Sequence, residues 1–269
     1  NLLSLSATIP VTFTDVDLTD IGHTASITNV VATGITTGLT LNNASLLELV
    51  TTGTVTKLSG STSGSTNLNF SAPASALDYL GEGQVLTLTY TVSVNDGDGG
   101  IDTEQVTINI TGTNDVPTLT AFAAPVKNTN EDTAVEITLA DLLAQGNEAD
   151  VDGTVNSFVV KALSSGSLKI GTTEASAQPW NASTNATVDA NLKAYWTPAA
   201  NANGTLNAFT AVAKDNSGAE STSAITATVS VAAVNDAPVI GAIAPIDLKK
   251  NRSSNDSFWL VGQDLSNCS

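Results

Sequence analysis

The sequence predicts an all-β fold of two tandem antiparallel β-sandwiches arranged end to end, and three observations support this prediction. Asn114-Asp115-Val116-Pro117 recurs as Asn235-Asp236-Ala237-Pro238, and the 121 residues that separate Pro117 from Pro238 are the size of one small domain. Alternating apolar and polar residues precede both copies. The chain is rich in Thr, Ser, Val and Gly, and it almost lacks the apolar period of 3.6 residues that is typical of helices.

The first hairpin is predicted just upstream of Asn114. Apolar residues alternate with Thr and Ser from Leu86 to Val94, a period of two that indicates a half-buried strand. The turn Asn95–Gly100 is rich in Asp and Gly, and a second alternating run from Val106 to Ile110 follows it. The sequence therefore predicts strand, acidic turn, strand and linker.

The second unit repeats this order. Apolar residues alternate over Phe209–Ala213, the turn Lys214–Gly218 follows, and a second alternating run covers Ile225–Val231 before the linker at Asn235. We therefore predict the same hairpin and exit in both units.

Chain length sets the domain boundaries. At 269 residues the chain can hold two domains with cores of their own. We predict β-sandwiches over residues 1–115 and 116–237, joined as an elongated rod, and a truncated third domain or tail over residues 238–269. We expect residues 249–269 to be poorly ordered or docked on the second domain.

Charge and composition narrow the function classes. Nine basic residues oppose 26 acidic ones, and the net charge of -17 repels nucleic acid and anionic lipid surfaces. No apolar stretch is long enough to span a bilayer, so we expect no membrane insertion. The single cysteine, Cys268, cannot form an intrachain disulfide. We expect an extracellular bacterial protein that is monomeric and is stabilised by its cores and by bound ions.

Acidic residues cluster at the predicted domain ends, where they need a counter-ion. Calcium takes about six to eight oxygen ligands from carboxylates, Asn side chains and backbone carbonyls, and we predict Ca²⁺ as the ion. Asp-x-Asp supplies two carboxylates where the backbone bends. The candidate ligands are Asp15, Asp17, Asp96, Asp98, Asn114 and Asp115 in the first unit, and Glu131, Asp150, Asp152, Asp215, Asn235 and Asp236 in the second.

Turn chemistry is the alternative explanation for Asp96, Asp98, Asp215 and Asn216. Asp and Asn are favoured in turns because they accept positive φ and hydrogen-bond their own backbone. The sequence therefore leaves two explanations for the three carboxylates, calcium binding and turn chemistry.

Two further features are local. Thr138, followed three residues later by Asp141, predicts a short capped helix that serves packing. Of the adjacent rings of Tyr195 and Trp196, we expect one to enter the core and the other to lie at the surface.

The sequence predicts no catalytic site. His23 is the one histidine, and its place after an acidic loop is typical of a surface residue. Zinc sites and Ser-His-Asp triads need partners that this chain does not offer. We therefore do not expect an enzyme.

These segments resemble two known families. The stretch Leu80–Pro117 opens with Leu-Gly-Glu-Gly, continues through the acidic glycine-rich turn and ends in Thr-Gly-Thr-Asn-Asp-Val-Pro. It resembles the VCBS repeat of large bacterial surface proteins, over most of residues 1–116. Residues 117–238 are similar to bacterial cadherin-like tandem domains in these segments: Asn130-Glu131-Asp132-Thr133, Ala140-Asp141-Leu142-Leu143, Asp150-Val151-Asp152-Gly153, Tyr195-Trp196-Thr197-Pro198-Ala199 and Asn203-Gly204.

The resemblance implies Greek-key sandwiches of the immunoglobulin or cadherin type, strung end to end in adhesins that type I secretion commonly exports. It also implies two sets of calcium ligands. The first junction would combine Asn114 and Asp115 with Asp150, Asp152 and Asp215. The second would combine Glu131, Asn235 and Asp236 with a third domain.

The expected function is that of a calcium-binding extender in a bacterial surface adhesin, supporting cell adhesion and biofilm formation. Its expected partners are the neighbouring repeat domains of the parent chain. The alternative is a recognition module that binds a glycan or a protein, and a third reading is an accessory domain of a secreted hydrolase.

Overall fold

The computed structural model describes residues 4–242. The chain divides into two compact units, residues 1–234 and 235–269. All strands and helices of the described residues lie in the first unit, and strands greatly outnumber the two short helices. The predicted all-β class is therefore confirmed. The predictions for residues 249–269 and Cys268 concern positions outside the described residues.

The first β-sandwich is formed by seven strands and one short helix. Their bounds are β1 Ser4–Thr14, β2 Thr24–Gly34, α1 Asn43–Glu48, β3 Val50–Thr52, β4 Thr56–Lys57, β5 Ser63–Pro73, β6 Val85–Asn95 and β7 Ile101–Thr111. One sheet has the order β1-β5-β3, with β4 also paired to β5, and the other has the order β2-β6-β7. Both sheets contribute side chains to one hydrophobic core.

The predicted hairpin of the first unit is confirmed as β6 and β7. Leu86, Leu88 and Tyr90 are fully buried, as the period of two requires. The Tyr90 hydroxyl donates to the Leu46 carbonyl at 2.9 Å, which ties α1 to the core. Burial raises the pKa of Tyr90 to about 12.

The second β-sandwich also has two sheets. Its elements are β8 Lys127–Asn130, β9 Val135–Ile137, α2 Leu139–Gln145, β10 Val155–Leu163, β11 Ser167–Gly171, β12 Gln178–Pro179, β13 Thr187–Val188, β14 Lys193–Thr197, β15 Gly204–Asp215 and β16 Ile225–Ala232. One sheet has the order β13-β10-β15-β16-β8 and the other β12-β11-β14-β9. The predicted second hairpin is confirmed as β15 and β16.

The core of the second sandwich corrects one expectation. Trp196 is fully buried, but Tyr195 is also buried, at 6% exposure. The Tyr195 hydroxyl donates to Glu136 at 3.1 Å across the strand pair, so its polar end is satisfied at the sheet edge and no surface position is needed. The predicted capped helix is confirmed as α2, with a capping box between Thr138 and Asp141.

The linker between the sandwiches depends on a close backbone approach at Gly112. A Cβ at Gly112 would lie 2.2 Å from the Leu80 carbonyl oxygen and 2.5 Å from that of Gly81. The Gly112 amide donates to Gln84 at 2.8 Å, and the Gly112 carbonyl accepts from Gly83 at 3.1 Å. The Leu-Gly-Glu-Gly segment is therefore a loop that holds the exit strand.

We expect Gly112→Ala to lower the free energy of unfolding by about 1–3 kcal/mol, because the added methyl forces backbone to move. Gly22→Ala is the matched control, since the nearest atom to its Cβ would be the Asp96 carbonyl oxygen at 4.0 Å. Urea denaturation followed by circular dichroism measures both. Equal midpoints for the two variants would contradict the close approach.

Candidate metal centre

The structure brings the linker and the acidic loops of the second sandwich together. The Asn114 side-chain amide donates to Asp215 Oδ2 at 3.0 Å. The Asp115 backbone amide donates to Asp152 Oδ2, also at 3.0 Å. These two bonds join residues that the sequence predicted as parts of one junction site.

A tight bend presents Asp150 and Asp152. A Cβ at Gly153 would lie 2.6 Å from both Asp150 Oδ2 and Asn216 Oδ1, so only glycine fits this bend without movement. Asn216 Oδ1 also accepts the Thr154 amide at 2.7 Å. The loop after β15 therefore supports the loop before β10. The sequence analysis named Asn216 as a turn residue, and its contact with the Thr154 amide gives it this supporting role as well.

Asp215 is buried, and its contacts agree with both explanations from the sequence analysis: turn chemistry and a place in the junction. Its Oδ1 accepts the amides of Ser217 and Ala219 at 2.9 and 2.8 Å, which is turn chemistry. Its Oδ2 accepts from Asn114, which is a junction contact. Burial would raise the pKa of Asp215, but the hydrogen bonds from Asn114 and from the turn amides outweigh it and lower that pKa.

The strongest feature of the junction is a set of carboxylate oxygens that are buried and have no hydrogen-bond partner among the described residues. They are Asp150 Oδ1, Asp150 Oδ2 and Asp152 Oδ1. Glu148 Oε2 is a further such oxygen, but it lies beside Gly146 at the end of α2. Buried anionic oxygens are costly unless a cation or a donor compensates them. The sequence analysis missed Glu148, although its position two residues before Asp150 in the same acidic series was a usable signal.

Electrostatic repulsion acts among these acids. Burial raises the pKa of Asp150, and the neighbouring Asp152 and Asp215 carboxylates raise it further. Burial also raises the pKa of Asp115, with added repulsion from Asp152 and Asp78. Both groups therefore bind a positive charge more readily than isolated aspartates would.

The donor set fits a hard divalent cation. It offers carboxylate oxygens from Asp150, Asp152 and Asp115, and Asn114 Oδ1 is left free because its amide nitrogen makes the described bonds. Oxygen-only sets of this kind suit Ca²⁺ better than softer metals. Asp150, Asp152 and Asp115 are the residues that would hold the ion.

In a second acidic loop, which belongs to the first sandwich, the carboxylates lie closer together. Asp15, Asp17 and Asp20 each offer an oxygen within 4.8 Å of the others, the one such trio among residues 4–242. The sequence analysis named Asp15 and Asp17 but missed Asp20. The carboxylate oxygens of the junction are farther apart than those of this trio. The spacing of the oxygens alone therefore favours the loop of the first sandwich as a metal site.

The acidic loop of the first sandwich, however, already holds basic groups. The Lys57 ammonium is buried and donates to the carbonyl oxygens of Asp17 and Asp20 at 2.6 and 2.8 Å. It lies 3.9 Å from Asp15 Oδ2. His23 Nε2 lies 2.8 Å from the same oxygen. We therefore favour the junction as the metal centre, because its acids have no such neutralising partner among the described residues.

His23 is not at the surface, and that prediction was wrong. It is 9% exposed, and its ring stacks on Phe13 with centroids 5.0 Å apart. The contact with Asp15 supplies a polar partner that makes burial possible. The Asp17 amide, with His23 and Lys57, lowers the pKa of Asp15.

The hairpin-turn acids follow turn chemistry. Asp96 Oδ1 accepts the amides of Asp98 and Gly100 at 2.8 and 2.9 Å. The Asp98 amide, and then the amides of Gly100 and Gly99, lower the pKa of Asp96 despite burial. Asp98 itself is exposed. The backbone contacts account for Asp96 without an ion, and a calcium role for either residue stays a prediction.

The second exit repeats a local bond of the first. The Asn114 side-chain amide donates to the Asp115 carbonyl at 2.9 Å, and the Asn235 side-chain amide donates to the Asp236 carbonyl at 3.3 Å. Glu131 is buried and its Oε1 accepts the Val234 amide, a bond within residues 1–234. Asn235 and Asp236 belong to the unit of residues 235–269 and are exposed. A shared site for these three residues stays a prediction.

Fold and site together define a β-sandwich module with an acidic linker junction. Within the described part of the chain, α1 and α2 are far too short to cross a bilayer, and no other helix has the required length and apolarity.

Comparisons with known proteins gave solved structures of low similarity. No known protein family matches the chain, and no curated protein matches it either. The fibronectin(III)-like modules of Clostridium thermocellum CbhA are 11% identical at a TM-score of 0.23, over 82% of this chain and 95% of that one. SporoSAG from Toxoplasma gondii is 14% identical at 0.17, over 84% and 93%. Bacteroides ovatus SGBP-B, solved with a mixed-linkage heptasaccharide, is 14% identical at 0.17, over 84% and 41%.

Without calcium, we expect the melting temperature to rise as the pH falls from neutrality toward the ordinary aspartate pKa of 3.8. The folded-state pKa values of Asp150 and Asp115 lie above the ordinary 3.8, so the folded protein binds more protons than the unfolded chain. Stability therefore falls as the pH rises through those folded pKa values. Asp15, Asp96 and Asp215 have lowered pKa values and lose stability only in a separate, more acidic range.

Scanning calorimetry in chelator measures this pH dependence. Asp150→Asn is the informative variant, because it removes the carboxylate whose protonation relieves the repulsion. We expect the variant to show a smaller rise than the parent protein. A melting temperature that falls steadily over the same range would contradict the repulsion at the junction.

We expect Lys57→Gln to destabilise the first sandwich by about 3–5 kcal/mol, the usual cost of removing one partner from a buried ion pair. Millimolar calcium should restore part of that stability, because the acidic trio then lacks its internal cation. Exposed Lys169→Gln is the control and should leave both values unchanged. Urea denaturation with calcium and with chelator measures the effect, and full stability of Lys57→Gln in chelator would disprove it.

Proposed function

We propose that this protein is a calcium-binding, non-catalytic extender module of a bacterial cell-surface adhesin. The observation that carries the proposal is the group of unpartnered, buried carboxylate oxygens of Asp150 and Asp152, beside the linker that joins the two sandwiches. A cation bound there would neutralise charges that the protein itself leaves uncompensated.

Calcium would act on the linker as well as on the acids. Asp115 belongs to the linker, whereas Asp150 and Asp152 belong to the second sandwich, so an ion held by all three would restrain the chain between the domains. Pro117 is buried and fixes its own φ, which already limits this segment. A restrained linker keeps successive domains in a fixed orientation, as an extender requires.

The wider biological role follows the family resemblance. VCBS-like and cadherin-like segments in tandem suggest a large exported adhesin, in which neighbouring repeat domains are the partners and cell adhesion and biofilm formation are the outcome. The acidic surface fits an extracellular setting, where calcium is abundant enough for sites with dissociation constants of about 10⁻⁴ to 10⁻³ M.

We expect calcium to raise the melting temperature of the parent protein, since a ligand that binds only the folded state stabilises it by about 2.7 kcal/mol at a hundred times its dissociation constant. Asp150→Asn with Asp152→Asn should abolish this calcium effect. The same variant should be at least as stable as the parent in chelator, because it removes repulsion. Titration calorimetry and thermal scans measure both effects.

The matched control removes two exposed acids elsewhere, Glu48→Gln with Glu174→Gln. It changes the net charge by the same amount and should keep the calcium effect. The proposal fails if calcium gives no heat and no thermal shift with the parent protein. It also fails if both double variants lose the effect equally, because the ion would then only screen the overall charge.

A further inference from the structure

A groove of about 700 Å³ lies between β1 and β7 of the first sandwich. In the described sheets β1 pairs with β5 and β7 pairs with β6, and both are edge strands. The groove follows β7 from Gly100 to Val106, about 20 Å at roughly 3.3 Å per residue. Its walls therefore include two strands with unpaired backbone edges, which are templates for a further strand.

Apolar side chains form one wall and the floor of the groove. Val11 and Phe13 come from β1, and Val92, Val94 and Val106 come from the hairpin. The Phe13 ring occupies the space over its cross-strand partner Gly64, where a Cβ would lie 2.2 Å from the ring.

The opposite wall carries two acidic residues at positions that face the core side of the sheet. Asp102 is paired with Val94, and Glu104 is paired with the buried Val92. Directly opposed residues on antiparallel strands share a face, so both carboxylates lie on the core-facing side of β7. Both residues are exposed, and the described bonds of their side chains are with the amides of the next residues, Thr103 and Gln105.

The charge of the groove is consistently negative. Asp15 and Asp96 lie at the same end as Asp102 and Glu104, and the lining includes no lysine or arginine. Asp15 is already in contact with His23. Asp102 and Glu104 are therefore the groove acids left for an external positive charge.

The second sandwich shows how the equivalent edge is used. Residue numbers in the two units differ by 121, so Glu104 corresponds to Ile225 and the last residues of β7 correspond to the last residues of β16. The outer edge of β16 is covered by β8, in parallel register from Val229 with Lys127 to Ala232 with Asn130. The same offset places the counterpart of β8 within β1, which pairs with β5 instead. In the first sandwich the edge of β7 is thus left unpaired in the described sheets.

We propose that the groove between β1 and β7 binds an extended basic segment of a partner protein, which adds to the free edge of β7 as a strand. The backbone of the segment pairs with β7. The lysine or arginine side chains on its inward face lay their aliphatic stems against Phe13 and Val11 and bring their charges to Asp102 and Glu104. Strand addition draws affinity from main-chain hydrogen bonds and specificity from alternate side chains. Charge complementarity then selects a basic segment over an acidic one.

The test uses three labelled decapeptides with the full chain in buffered salt near physiological strength. The first alternates lysine and valine, the second alternates glutamate and valine, and the third is the lysine peptide with two central valines replaced by proline. Fluorescence anisotropy should show binding of the first peptide, none of the second, and at least tenfold weaker binding of the third, because proline removes backbone donors at unchanged charge. Hydrogen exchange of the amides in residues 100–106 should slow with the first peptide.

The protein variants locate the contact. Asp102→Asn with Glu104→Gln should weaken the lysine peptide by about three- to tenfold, as expected for two exposed ion pairs. Glu48→Gln with Glu174→Gln removes the same charge at exposed positions away from the groove and should leave affinity unchanged. Circular dichroism checks that both variants are folded.

Four outcomes would overturn the proposal. Equal binding of the proline peptide would mean attraction by charge alone. Equal loss in both double variants would place the contact elsewhere. Absence of binding to all peptides would mean that the inward acids only guard the edge against other strands. Sedimentation showing that two copies pair through β7 would assign the edge to self-association.

Discussion

The structure depends on how its buried carboxylates are neutralised. Backbone and side-chain amides reach one oxygen of Asp152 and both oxygens of Asp215, but both oxygens of Asp150 stay without a described partner. Anions held in this way destabilise a fold unless a cation joins them, and burial, with added repulsion from its acidic neighbours, raises the pKa of Asp150. Because the linker supplies Asp115, the way in which the charge of this site is neutralised also affects the orientation of the two sandwiches.

The motif Asp-Val-Asp occurs twice in this chain, and its negative charge has different surroundings at the two places. Asp15-Val16-Asp17 and Asp150-Val151-Asp152 both form acidic loops beside a strand. The first receives the Lys57 ammonium on its carbonyl oxygens and His23 on a carboxylate, so its cation is part of the protein. The second has acidic neighbours instead. Asp-x-Asp spacing therefore indicates a demand for positive charge, and tertiary structure decides whether a side chain or an ion meets it.

Local patterns in the sequence were reliable, and distant contacts were not visible in it. Alternation predicted β6, β7, β15 and β16, and the Thr138 cap predicted α2, because these depend on neighbouring residues. The junction acids were found because a repeated linker marked where they converge. Burial of His23 was missed, since it depends on Asp15 across a loop and on stacking with Phe13. The sequence did not predict the groove, because β1 can pair at the edge of either sheet and no local pattern shows which sheet it joins.

That choice of sheet by β1 has a physical reason. β1 pairs with β5 along its whole length, from Ser4 with Pro73 to Thr14 with Ser63. At the end of this ladder the Phe13 ring fills the space that Gly64 leaves and stacks on His23, which the acidic loop holds through Asp15. The anchor on β5 therefore includes the loop that Lys57 neutralises. The internal cation of the first loop and the free edge of β7 are consequences of the same packing, whereas the second sandwich places β8 on β16 and leaves its junction acids without a basic partner among the described residues.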